Sequence, residues 1–307
     1  MDGPRVLVCD PIHDEGVKIL REAGYIVDLR TSITANEFVD AVGDFDAIVV
    51  RSRTKVTEQA LEAGKRLKAV ARAGVGLDNI DLNAAKQRGI IVVNSPEAPS
   101  NAVAELVLGL MLSLARRIPE ADDSMKKGKW IKKRLTGIEL KGKTLGIIGF
   151  GRIGYQLAKK AGALEMRVLT YVREREKFIE FVEEAGADAV DLDELLGSSD
   201  FVTIHVPLLP QTKHMIGTEE ISAMKDGAYL INAARGGVID EEALRKALVS
   251  GKLAGAALDV YEEEPPRDIS LTGLQNVVSL PHIGAATIEA KRASSTVVAE
   301  KLIKILG

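Results

Sequence analysis

The sequence predicts an α/β protein made of two doubly wound parallel-sheet domains. Short β-branched runs alternate with helical patterns from the first residues, and this alternation restarts at Lys143 after an interruption. At 307 residues the chain has room for about two domains, each large enough to bury its own core. Charge is nearly balanced, 41 Lys+Arg against 44 Asp+Glu for a net −3, which leaves no electrostatic footprint for nucleic acid or an anionic membrane. Apolar residues at 46% and charged residues at 28% exclude wholesale disorder. The one cysteine, Cys9, cannot form an internal disulfide. The N-terminus, Met1 to Arg5, lacks the apolar stretch of a signal peptide. The run from Ala102 to Leu114 is interrupted by Glu105 and too short to span a membrane. A cytoplasmic protein is expected, with no membrane partner, no nucleic-acid partner and no metal site.

The elements follow in order. Val6-Leu7-Val8 reads as a strand, residues 14 to 23 as an amphipathic helix ending at Gly24, and Tyr25-Ile26-Val27 as the next strand. Residues 35 to 42 form a short helix. Ala47 to Val50, Leu67 to Ala71 and Ile90 to Val93 are three further strands. Strands this continuously apolar, with helices between them, imply a parallel sheet covered on both faces. Residues 99 to 117 read as one long helix, apolar on most faces, with Ser100 or Asn101 near its start. From 119 to 140 the pattern becomes a solvated, irregular connection, basic from Lys126 to Arg134 and carrying the lone Trp130. The alternation then resumes with a strand at Thr144 to Gly149, a helix at 152 to 162 and a strand at Arg167 to Tyr171. Phe201 to Ile204, Ala228 to Ile231, Ala254 to Leu258 and Val277 to Ser279 are the later strands. A final helix over 286 to 305 carries apolar Ile288, Val297, Val298, Leu302 and Ile305.

Gly149-Phe150-Gly151-Arg152-Ile153-Gly154 fits G-x-G-x-x-G, with a strand running into it and a helix leaving it. In that setting the glycines permit a tight turn, and backbone amides at the helix N-terminus approach a pyrophosphate. An acidic residue about 20 residues further on is expected to hold the ribose hydroxyls. Val172 stands there instead, followed by Arg173, Glu174 and Arg175. An arginine can accommodate a 2′-phosphate, which tilts this site towards NADP, whereas Glu174 turned inward would hold the ribose of NAD. The coenzyme is NAD or NADP.

Three loops after strands of the second domain qualify for the chemistry. Ala233-Ala234-Arg235-Gly236-Gly237 places a guanidinium at a strand's carboxyl end, the edge where ligands sit in open α/β sheets. Asp259-Val260 leads into Glu262-Glu263-Glu264, and Leu280-Pro281 leads into His282. A histidine paired with a carboxylate moves a proton near neutral pH, the carboxylate raising its pKa. Glu264 is the chosen partner, although composition does not separate it from Glu262 and Glu263. His205, which also ends a strand, is the rival histidine and is given a packing or cofactor-side role.

Five motifs in order, RAGVGLDNID (72 to 81), GFGRIG (149 to 154), NAARGGVID (232 to 240), ALDVYEEEP (257 to 265) and PHIGA (281 to 285), resemble the D-isomer-specific 2-hydroxyacid dehydrogenases. The resemblance covers nearly the whole chain. It implies a flavodoxin-like substrate domain, residues 1 to 97 plus 284 to 307, into which a Rossmann-type cofactor domain, 98 to 283, is inserted. It implies Arg235, Glu264 and His282 as the catalytic set. Cofactor contacts would come from Gly149, Gly151, Arg152, Ile153, Gly154, Val172, Arg173, His205, Pro207, Ala233 and Asp259, with Asp259 on the nicotinamide carboxamide. Arg72 and the amides of Gly74-Val75-Gly76 would hold the substrate carboxylate. VRSRTKVT (50 to 57) is similar to the phosphoglycerate branch, in which Arg51 and Ser52 face a substrate phosphate.

The implied reaction is oxidation of D-3-phosphoglycerate, a small phosphorylated 2-hydroxy acid, in serine biosynthesis. The implied assembly is a homodimer, which would give the segment around Trp130 a partner. A serine-sensing regulatory domain is not expected within these 307 residues. The alternative is a glyoxylate or hydroxypyruvate reductase of the same family, favoured by Val172 and Arg173. A non-catalytic dinucleotide-sensing protein on this fold is the third reading, and the complete catalytic set speaks against it.

Overall fold

A computed structural model describes residues 3–307. Met1 and Asp2, part of the N-terminal stretch read above, lie outside the described residues, as does the side chain of Arg175. The chain begins β1 (Arg5–Val8), α1 (Asp14–Glu22), β2 (Ile26–Leu29), α2 (Ala35–Ala41), β3 (Ala47–Val50), α3 (Glu58–Ala63) and β4 (Ala69–Arg72). Next come α4 (Leu82–Gln87), β5 (Ile91–Asn94), α5 (Ser100–Arg116), α6 (Ile118–Lys126), β6 (Thr144–Ile148), α7 (Arg152–Ala163) and β7 (Arg167–Tyr171). Then follow α8 (Arg175–Glu184), β8 (Asp188–Ala189), α9 (Leu192–Ser198), β9 (Phe201–Ile204) and α10 (Thr218–Ala223). The last elements are β10 (Ala228–Asn232), α11 (Glu241–Ser250), β11 (Leu253–Leu258), β12 (Val277–Ser279) and α12 (Ile288–Leu306). None of these helices is long and apolar enough to cross a membrane.

Two compact units result, Met1–Ser100 with Ala285–Gly307, and Asn101–Gly284. The first holds a parallel five-stranded sheet in the order β2-β1-β3-β4-β5. Side chains alternate across a strand, so both faces of each strand need cover. Val6, Val8, Val49 and Ala71 pack with Leu20 of α1 and with Val298 and Leu302 of α12. Leu7, Ile48, Val50 and Val70 pack on the other face, with Phe38, Leu61 and Ala85 of α2 to α4. This two-sided burial explains why the strands read as unbroken apolar runs.

The second unit holds a parallel seven-stranded sheet, order β12-β11-β10-β9-β6-β7-β8. The chain leaves β6 towards β7 and β8, then returns to the other side of β6 with β9. One face packs against Val107, Met111 and Leu114 of α5 and Leu157 of α7, the other against Leu195, Ile221, Leu244 and Leu248 of α9 to α11. The two doubly wound sheets match the predicted fold class.

Local expectations fail in identifiable places. The first half of the expected irregular connection, 119 to 140, is the helix α6. Arg117 adopts a left-handed conformation (φ 52°) that ends α5, and Pro119 suits the first turn of the next helix. Asp122–Lys126 and Asp123–Lys127 then pair one turn apart along α6. Ile288, expected on the packed face of the last helix, is 74% exposed because it sits in the first turn of α12, ahead of the residues that reach the sheet. The helices α3, α4 and α8 to α11 are additions, several of them too short for a 3.6-residue period to declare itself.

Helix α1 lies so close to α12 that Gly16 has no room for a side chain: a Cβ there would stand 2.6 Å from the Ser295 carbonyl oxygen. Alanine in a helix is favoured over glycine by about 1 kcal/mol, yet Gly16→Ala is expected to lower stability through this overlap. Urea unfolding of the two proteins checks it, and a more stable variant would disprove the close approach.

Candidate active site

The glycine loop sits where β6 and β9 diverge, the topological switch point of the seven-stranded sheet and the place where a doubly wound fold binds ligand. Gly149 holds φ +90°, and a Cβ on it would meet the His205 carbonyl oxygen at 2.7 Å. Only glycine makes this turn here. Nothing lies within 4 Å of the Cβ position of Gly151, the N-cap of α7. Tyr155 N–H makes the bond to the Gly151 carbonyl (3.0 Å) that opens the α-helical ladder. The amides of Arg152, Ile153 and Gly154 precede it, at the positive end of the helix dipole. Open space before a bare helix N-terminus fits a dinucleotide pyrophosphate.

At the carboxyl ends of β10, β11 and β12 three loops are held by their own polar groups. Buried Asn232 clamps the first: its Oδ1 accepts the Ala234 N–H at 3.0 Å and its amide donates to the Arg235 carbonyl at 2.9 Å. Arg235 is thereby fixed beside Ala233, which is itself buried. In the second loop the Glu264 Oε1 accepts the Tyr261 N–H at 3.2 Å, while Oε2 lies 2.7 Å from His282 Nδ1. Glu262 and Glu263 are engaged elsewhere, with His214 (3.0 Å) and Arg267 (2.8 Å). With Nδ1 donating to the carboxylate, His282 presents Nε2 as its free base.

The third loop is pinned by Asp259, which is fully buried and accepts the N–H groups of Ile283 and Gly284, each at 2.7 Å. Burial raises the Asp259 pKa, and the two backbone donors work against that rise. His282 stands at φ +53°, a left-handed conformation uncommon for a residue with a side chain and found at functional sites. Sequence reasoning passed over Tyr261, whose buried hydroxyl bridges the Leu258 (3.2 Å) and Leu280 (2.9 Å) carbonyls and ties the two loops together. A lone aromatic within an acidic run was the available signal.

The rival histidine differs from His282. His205 Nε2 lies 3.1 Å from Thr203 Oγ1, and its Nδ1 is buried without a partner among the described residues. Burial pushes its pKa down to about 4, so it is neutral at pH 7. Pro207 is exposed, and its carbonyl accepts the Thr212 hydroxyl at 2.6 Å. Val172 packs against the core and Arg173 is exposed. Glu174 pairs with Lys177.

In the first unit Arg51 and Ser52 follow β3, next to β1, at the switch point of the five-stranded sheet. Arg51 lines a cavity there, and Ser52 is exposed outside its lining. Asp10 and Asn79, both overlooked in the sequence, set the backbone of this loop. The fully buried Asp10 carboxylate accepts the Arg51 N–H (2.5 Å), the Thr54 hydroxyl (2.8 Å) and Arg53 Nε (2.9 Å). Asn79 donates to the Arg51 (2.8 Å) and Thr54 (2.6 Å) carbonyls. Arg72 ends β4 and Gly74 to Gly76 follow it, where Asn94 donates to the Val75 carbonyl at 2.6 Å and Ser95 N–H to the Gly74 carbonyl at 2.9 Å. Cys9, beside Asp10, is no nucleophile, because burial pushes its thiol up to about 12.

Comparison with known proteins gives one consistent result. Residues 108–284 match the family described as D-isomer specific 2-hydroxyacid dehydrogenase, NAD binding domain. The chain is 51% identical over 303 residues to a D-3-phosphoglycerate dehydrogenase of Methanocaldococcus jannaschii, covering 98% of this chain and 57% of that one. It therefore spans little more than half the length of that relative. A hydroxypyruvate reductase of Thermotoga maritima is 47% identical over 306 residues, 99% of this chain and 98% of its own. The crystal structure of the TT0316 protein from Thermus thermophilus superposes with a TM-score of 0.90 at 36% identity, covering 98% of this chain and 96% of that one.

The neutral His205 has a pH consequence. Its folded pKa, about 4, lies below the ordinary 6.5, so between these values the unfolded chain binds the extra proton. Stability is expected to fall as pH drops through that window, and His205→Gln to lose less over the same interval. Urea midpoints at neutral pH and at about pH 5 check this; parallel slopes for the two proteins would refute it.

Proposed function

We propose that this chain, which belongs to the D-isomer-specific 2-hydroxyacid dehydrogenases, oxidises D-3-phosphoglycerate to 3-phosphohydroxypyruvate with a nicotinamide coenzyme. The 2.7 Å hydrogen bond between His282 and Glu264, at the sheet edge that also carries Arg235, is the observation that supports it most. His282 Nε2 takes the proton of the substrate's 2-hydroxyl. Glu264 keeps the imidazole in the required tautomer and stabilises the imidazolium that forms. Arg235 binds the carboxylate or polarises the C2 oxygen, a role suited to its planar fork of donors. Asp259, through the backbone of Ile283 and Gly284, holds the histidine in place. The nicotinamide, when bound, supplies the acceptor for the hydride leaving C2.

The coenzyme would lie along Gly149 to Gly154, its pyrophosphate on the N-terminus of α7. With Val172 in the position of a ribose-binding acid and Arg173 exposed beyond it, NADP(H) is accepted alongside NAD(H). In the first unit, Arg72 and the loop from Gly74 to Gly76 take the substrate carboxylate, with Arg51 on its phosphate. A homodimer is proposed around the segment from Ile118 to Ile138, where Trp130 is 79% exposed and Met125 57%. Reduction of hydroxypyruvate is the second reading, favoured by the Thermotoga maritima relative, which this chain matches over 98% of that protein's length.

Removing the base tests the first reading. His282→Ala is expected to lower kcat by about 10²–10⁴-fold with coenzyme binding retained, read by quenching of protein fluorescence. Near-native turnover would sink the assignment. Titration with both reduced coenzymes tests the second point: NADPH is expected to bind within about ten-fold of NADH, a gap of about 1.4 kcal/mol or less. Tight NADH with NADPH weaker by more than that overturns the reading of Val172 and Arg173.

A further inference from the structure

Where β1 and β3 diverge, the first unit holds a cavity of about 320 Å³. Arg51 enters it from the end of β3, His13 and Asp14 from the start of α1, and Lys291, Ser294 and Ser295 from the first turns of α12. Neither the Arg51 guanidinium nor the Lys291 ammonium has an ion pair or hydrogen bond among the described residues. Arg53, two residues after Arg51, is spoken for by Asp10. Two unpaired cations converging on one cavity repel each other unless an anion joins them.

The backbone segments that carry these groups are held in place. Buried Ser295 accepts the His13 N–H at 2.9 Å and donates to the Lys291 carbonyl at 2.8 Å, tying the start of α1 to the start of α12. His13 Nδ1 accepts the Glu15 N–H at 3.2 Å, so the neutral ring carries its proton on Nε2 and adds a donor to the lining. The backbone of Arg51 is clamped by Asp10 and Asn79. Asp14 is the one carboxylate of the lining, and it cancels one of the two positive charges. Without Lys291 the lining would carry no net positive charge while His13 is neutral.

We infer that Lys291 and Arg51 together form a subsite for a tetrahedral dianion, and that Lys291 sets the preference for phosphorylated over unphosphorylated 2-hydroxy acids. A carboxylate is satisfied by one planar fork. A phosphate monoester presents three oxygens in different directions and is suited by a fork, a point charge and single donors, the roles of Arg51, Lys291 and the His13 ring N–H with the Ser294 hydroxyl. The substrate class rests on the phosphoglycerate reading above, but the anion site does not.

Two measurements on wild type, Lys291→Ala, Lys291→Gln and Lys291→Arg keep the questions apart. The first is the ratio of kcat/KM for 3-phosphohydroxypyruvate to that for hydroxypyruvate. It is expected to fall about ten-fold or more in Lys291→Ala and Lys291→Gln, chiefly through KM, and to recover within about three-fold in Lys291→Arg. The second is the Kd of inorganic phosphate by calorimetry, without turnover, expected to weaken about ten-fold in the same two variants. A ratio and Kd within about two-fold of wild type in folded Lys291→Ala and Lys291→Gln, or a wild type that binds no phosphate, overturns the subsite. Wild type that turns over only hydroxypyruvate sinks the phosphoglycerate reading, and the phosphate Kd still decides the subsite.

Discussion

Asp259 has no exposed surface, and both its oxygens accept backbone N–H groups of the loop that carries His282. The remainder of the candidate site hangs on this arrangement. A buried carboxylate is costly unless it is hydrogen-bonded, and a buried N–H left without an acceptor costs about 1–3 kcal/mol. Each therefore holds the other in place. Together they keep His282 in a left-handed backbone conformation, so that its ring meets Glu264 and turns Nε2 outward. Tyr261 and Asn232 brace the neighbouring loops in the same way, with polar side chains answering backbone groups that lie beyond the ends of the strands.

The first unit repeats the device with other residues. Asp10, at the end of β1, is as buried as Asp259 and organises the loop after β3 through the Arg51 N–H, the Thr54 hydroxyl and the Arg53 side chain. Arg53 is fully committed to this loop, since its guanidinium also reaches the Cys9, Thr31 and Ile33 carbonyls. Arg51, two residues earlier, is left with an uncommitted head group. Residue type alone makes these two arginines equivalent, the resemblance of residues 50 to 57 points to Arg51, and the buried carboxylate shows Arg53 to be the structural one. In the first sheet these polar residues gather where consecutive connections leave a central strand in opposite directions, which opens a crevice that neither connection covers; in the second sheet the glycine loop lies at that point, and the polar loops follow β10 to β12 on one side of it.

Much of the fold was legible because a strand buried on two faces must be apolar throughout, and these strands have little other chemistry. The first part of the stretch from 119 to 140, up to Lys126, was misread because α6 is stabilised by charge pairs and by the break at Arg117, neither of which produces an apolar period. The candidate site was legible where glycine, arginine and histidine interrupt apolar runs at strand ends. Asp10, Asn79, Asn94 and Tyr261 were not, since each answers backbone atoms 19 to 44 positions away that no local pattern announces. Pairing the acid with the histidine was equally beyond composition, because Glu262, Glu263 and Glu264 differ only in where the turn aims them.

Local periodicity, and residue types with few alternative uses, were enough to establish the two-sheet α/β class, the glycine loop and the strand ends where polar chemistry collects. Packing settled which of three glutamates meets His282, which of two arginines stays uncommitted, and that Lys291 lines the same cavity as Arg51. Those outcomes depend on contacts between residues far apart in the chain, and their distances exist only once the helices have packed on the sheets.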